Sequence, residues 1–78
     1  MHAREEREEE QRIRYLRQIV EFTMCVIAQS DIPIEEASRM VASTKKLAIK
    51  LFPEKEEVFD LVYGSRFKRL LTEKYGLH

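Results

Sequence analysis

The sequence has little of what small-protein chemistry is usually built from. It holds one cysteine, Cys25, so no disulfide can close within the chain, and no Cys/His spacing resembles a zinc site. A reduced, cytoplasmic protein is therefore expected. Its two histidines, His2 and His78, stand at opposite ends of the sequence, where ordering is poorest. Neither is placed to act as a general base or a ligand. There is no glycine-rich phosphate loop and no Glu-x-x-His pattern that could hold a metal between facing helices. Glu56 and Asp60 share a helix face and read as solvated carboxylates. The chain is accordingly expected to have no catalytic residues, no cofactor and no metal, and not to be an enzyme.

Structure breakers are equally scarce. Two glycines and two prolines in 78 residues favour a few long helices over many short strands. No net charge is available either, because fourteen basic side chains cancel fourteen acidic ones. The whole molecule thus offers no strong field to nucleic acid or to an anionic membrane. No apolar run approaches the roughly 20 residues that a membrane span needs. The N-terminal stretch MHAREEREEE is acidic on balance, the opposite of a secretory or mitochondrial leader.

What is present is organised around Ile19 to Ala28 (IVEFTMCVIA), in which Glu21 is the one charged residue. At helical period Val20, Thr23, Met24 and Ile27 form one stripe, and Ile19, Phe22, Cys25 and Val26 form another on a largely different side. A helix apolar on most of its circumference has to be buried on most of it. Cys25 in such a run reads as a buried structural thiol. Upstream, Glu8 with Arg12 and Glu10 with Arg14 stand at i,i+4, each adding about 0.3 kcal/mol to an exposed helix. The spacing predicts one helix from Arg4 to Gln29, with residues 1–11 a charged extension that frays. Glu21 has Arg17 four residues earlier, which suggests a rim ion pair.

Pro33 fixes the start of a second helix, with Asp31 as candidate cap and Glu35 and Glu36 at the positive end of its dipole. Ala37, Met40, Val41, Thr44, Leu47, Ala48 and Leu51 then form an amphipathic stripe, with Leu47 at its middle. The Thr44 hydroxyl is expected to bond to a carbonyl one turn back. Phe52-Pro53 ends this helix. Phe59, Val62, Tyr63, Phe67, Leu70 and Leu71 keep one helical phase across Gly64, where a break or kink with Ser65 as N-cap is expected. Gly76 is the expected C-terminal stop, after Tyr75, with Leu77 and His78 loose.

Residues 1–78 thus read as a single all-α domain. Its architecture is a small helical bundle of three to four helices: a long N-terminal helix, an antiparallel second helix and a kinked or broken C-terminal helix. The function expected is a small helical protein-protein interaction module that self-associates, most simply as a homodimer. Its partner-binding residues would be Ile13, Tyr15, Leu16, Ile19, Phe22 and Met24, on the long helix where the others leave it uncovered. The alternative is a DNA-binding regulator using Lys46, Lys50, Arg66, Lys68 and Arg69, the basic residues of the second and last helices.

Overall fold

A computed structural model describes residues 2–76, with side chains from Glu6 onward. The readings of Leu77 and His78, and of the side chains of residues 1–5, lie outside the described residues. Within them the chain is all-α and contains no strand. Helix α1 spans His2–Gln29 and α2 spans Ile34–Leu51. A third helical stretch follows in three pieces: α3 (Glu56–Phe59), a π turn (Asp60–Gly64) and α4 (Ser65–Tyr75).

The proline and glycine signals act where expected, and the polar caps do not. Pro33 is the N-cap residue of α2, with φ −69° and ψ 158°, and no side chain caps this end. Asp31 is therefore not the cap. The Pro33 carbonyl itself accepts from the backbone N–H groups of Glu36 and Ala37, at 3.1 and 3.2 Å. At the other end Phe52 leaves the helical region, with φ −138°. Its carbonyl then accepts from the Lys55 N–H at 3.0 Å, a turn with proline at its second position. Gly76 sits in the left-handed region at φ 65°, and its N–H returns to the Thr72 carbonyl, as a C-terminal glycine allows.

At Gly64 the kinked form of the expectation holds and the broken one does not. The glycine keeps helical angles, φ −59° and ψ −43°, and the helix bends through a π turn instead of breaking. Ser65 is not an N-cap: its hydroxyl donates to the Leu61 carbonyl inside the helix, at 3.0 Å. Packing of one apolar phase on both sides of the glycine outweighs its local cost of about 1 kcal/mol.

The core lies between the three helical stretches and is formed by Leu16, Val20, Ile27, Ala37, Ala48, Phe59 and Phe67. Small residues on α2 let it lie close to α1, and the contact is closed by a pair of buried threonines. The Thr44 hydroxyl donates to the Met40 carbonyl at 2.9 Å. It therefore accepts from the Thr23 hydroxyl, 3.2 Å away, so neither oxygen is buried without a partner. Leu47 is part-buried and stands outside this core. It precedes Ala48 by one residue, which on an α-helix turns it about 100° from the stripe's centre line.

The two ends of the bundle are tied by residues far apart in sequence. α1 has no basic residue in its last turn, yet its terminal carbonyls are capped from elsewhere. The Lys74 amine donates to the carbonyls of Ile27 and Ser30, and the Tyr75 hydroxyl donates to the Ile32 carbonyl at 2.8 Å. A cation at a helix C-terminus meets both orphan carbonyls and the negative end of the dipole. Glu56 and Asp60, read from the sequence as solvated, are exposed and also converge on Lys45, at 3.4 and 2.9 Å. The hydrogen bond that the Lys45 amine donates to Asp60, more than the one it donates to Glu56, holds its pKa above the ordinary value against desolvation.

Candidate interaction surfaces

Two helices can cover only one side of α1, and they cover the stripe of Val20, Thr23, Met24 and Ile27. Val20 and Ile27 are 0% exposed, Thr23 is buried and Met24 packs against the core. The second stripe faces outward. Phe22 is 68% exposed, Tyr15 and Cys25 are exposed, and Ile19 and Val26 are part-buried. The Cys25 thiol is therefore not a core group; it belongs to the side that α2 and α4 leave open.

Tyr15, Ile19, Phe22 and Val26 follow one another at spacings of four, three and four residues. That is the repeat by which one helix seam meets another. Gln18, Cys25 and Gln29 border the seam on the Phe22 side, so no charge interrupts it there. Of the six residues expected to bind a partner, Tyr15, Ile19 and Phe22 lie on this face. Leu16 and Met24 do not: Leu16 is 7% exposed and belongs to the core, with Met24 against it. They sit on the covered stripe because helical spacing groups them with Val20 and not with Phe22. Val26, which the sequence groups with Ile19 and Phe22 in the second stripe but which is not among the six expected partner-binding residues, completes the outward seam.

Ile13 lies on a different side, in a groove where α1 leaves the bundle. Leu16, Ala48 and Phe59 form its floor, and Ile13, Val58 and Val62 stand at its sides, enclosing about 300 Å³. Glu9 and Lys55 also line it. The Arg12 guanidinium lies over the ring of Phe52, 5.6 Å from its centre, another groove-lining residue. Val62, expected in the core phase, is instead 48% exposed, while Tyr63 beside it packs against the core.

Arg66 is held by Glu21 across the α1–α4 contact, at 2.9 Å. This replaces the expected Arg17 partner of Glu21 with one that helical spacing could not reveal. Lys46 and Lys50 are exposed on α2, and Lys68 and Arg69 on α4. Lys46 is two residues from both buried Thr44 and buried Ala48, and Arg69 two from buried Phe67, so each points outward from its own helix. Among the described residues no group of three or more His, Cys, Asp or Glu could hold a metal ion. No helix of the described residues is long and apolar enough to cross a membrane. No protein-family model matches the chain, and no curated protein or solved structure does either.

Proposed function

We propose that this chain is a small non-enzymatic interaction protein that self-associates as a homodimer through the outward seam of α1. The observation that carries the reading is a large aromatic, Phe22, left 68% exposed at the centre of an uncharged helix face. Contiguous apolar surface rimmed by polar residues is where proteins meet partners. The seam is also self-complementary. If two copies lie antiparallel about a two-fold axis between residues 20 and 21, Tyr15 meets Val26 and Ile19 meets Phe22, an aromatic against a branched aliphatic in each layer. A two-fold interface requires this reciprocity, residue i on j and j on i. Exposed Cys25, with no second thiol in the chain, fits a reduced, cytoplasmic protein.

The DNA-binding alternative has less to draw on, since Arg66, one of its five basic residues, is engaged by Glu21. Sedimentation equilibrium across a concentration range tests the dimer. The unchanged chain should show a mass that rises toward twice the monomer. Phe22→Glu should weaken association by at least about thirtyfold, the effect of losing one central anchor. A chain that stays monomeric at high micromolar concentration overturns the reading.

A further inference from the structure

We infer that the furrow between α1 and α2 receives Tyr15 of the partner copy in the homodimer. The inference rests on the dimer reading and extends its surface from α1 onto α2.

A seam of four side chains is too small to hold two copies together. Stable interfaces bury about 800 Å² on each partner. Phe22 and Tyr15 are 68% and 48% exposed, and Ile19 and Val26 are part-buried. At roughly 200 Å² for a whole large aromatic, the seam offers about half of the area needed. The remainder has to come from surface beside it, and burial tells on which side. At about 100° per residue, Ile19 and Val26 stand between buried Thr23 and exposed Phe22, and Thr23 bonds to Thr44 of α2 at 3.2 Å. The seam therefore runs along the α2 edge of α1, whereas Glu21, paired with Arg66, marks the α4 edge.

On that edge a furrow of about 480 Å³ opens between the two helices. Buried Thr23 and Thr44 form its floor, with Met40 beside them, and exposed Glu36, Arg39 and Ser43 form its α2 bank. Glu36 and Arg39 carry opposite charges, so the furrow favours no ion of either sign. It suits a neutral side chain with an apolar body and a polar tip, which describes tyrosine.

The register of the dimer delivers one. With the two-fold axis between residues 20 and 21, the partner's Tyr15 lies beside Val26. Val26 is three residues past Thr23 on α1, and α2 runs antiparallel, with Thr23 on Thr44 and Arg12 over Phe52. The α2 residues level with Val26 therefore lie about one turn before Thr44, at Met40. The partner's ring covers Met40, and its hydroxyl enters the donors and acceptors of Ser43, Arg39 and Glu36. The chain's own Tyr15 cannot fill this place. It stands eight residues before Thr23, and Met40 four before Thr44, which in antiparallel helices sets them about 18 Å apart along the axis.

Sedimentation equilibrium and isotope-filtered NMR on the full chain test this together. In an equal mixture of labelled and unlabelled chain, the Tyr15 ring of one copy should show a nuclear Overhauser contact to the Met40 methyl of another. Ser43→Arg, which fills the furrow from an exposed position, should weaken association by about tenfold or more, with circular dichroism unchanged. Ser38→Arg, also exposed but about 140° around α2 from Ser43, should leave association as it is. Tyr15→Ala combined with Ser43→Arg should weaken association no further than the stronger of the two alone, because both remove one contact. A dimer that Phe22→Glu dissociates and Ser43→Arg leaves intact overturns the inference while keeping the seam, as does a dimer without the contact from Tyr15 to Met40. A chain that stays monomeric at high micromolar concentration overturns the seam reading, and this inference with it.

Discussion

Two sides of one helix, built from similar residues, meet opposite fates. Ile27 is 0% exposed and Phe22, five residues earlier on α1, is 68% exposed. Hydrophobicity does not separate them, since either would gain from leaving water. What separates them is supply: α2 and the last helical stretch can line one side of α1, and no further helix is available among the described residues. Burial in so small a bundle is therefore allocated by topology, and the apolar surface left over is the raw material for recognition.

Mutations on α1 can sharpen or break this contrast. The largest effect belongs to the covered side. Ile27→Ala should cost about 2–5 kcal/mol in urea unfolding, while the neighbouring Val26→Ala should cost less than about 1 kcal/mol when measured below the association range. Similar losses at the two positions would mean that the outward side is packed as well. A smaller effect is expected at the buried hydroxyls. Thr44→Val removes the acceptor of Thr23 and should cost about 1–3 kcal/mol. Thr23→Val leaves Thr44 its bond to Met40 and should cost less; a reversed order would show that the donor direction is the other way. The smallest effect lies at the boundary between the sides, where Glu21 and Arg66 pair with their side chains about half exposed. Glu21→Gln should change stability by no more than about 1 kcal/mol and should lose even that effect in high salt.

Much of this was legible because local chemistry decides it. Proline at positions 33 and 53 and glycine at 76 limit which backbone angles are reachable, and the helix ends follow. Thr44 could be read as bonding back to Met40 because its partner lies one turn away. The two stripes of α1 were also visible as stripes. Which one would be covered, and by what, was not. The hydrogen bond from Arg66 to Glu21 joins residues 45 apart, and that from Lys74 to Ile27 joins residues 47 apart, so no spacing within either helix announces them. Spacing within α1 therefore assigns Glu21 to Arg17, and the apolar neighbours of Cys25 mark it as buried. Leu47 failed for a subtler reason. A stripe of small residues, Ala37, Thr44 and Ala48, marks the line of closest approach, and the larger leucine beside it stands at the edge.

The proportions of the molecule follow from α1. A 28-residue helix is about 42 Å long, and the extents are 49 × 22 × 16 Å, so α1 must run along the longest axis. The backbone N–H bonds of a helix point nearly along it. Spinning about the long axis, the fast rotation of a rod, leaves those bond directions unchanged, and only the slow end-over-end rotation reorients them. The amides of α1 consequently sense a molecule that turns more slowly than a sphere of the same mass would, as a property of shape that is present before any second copy arrives.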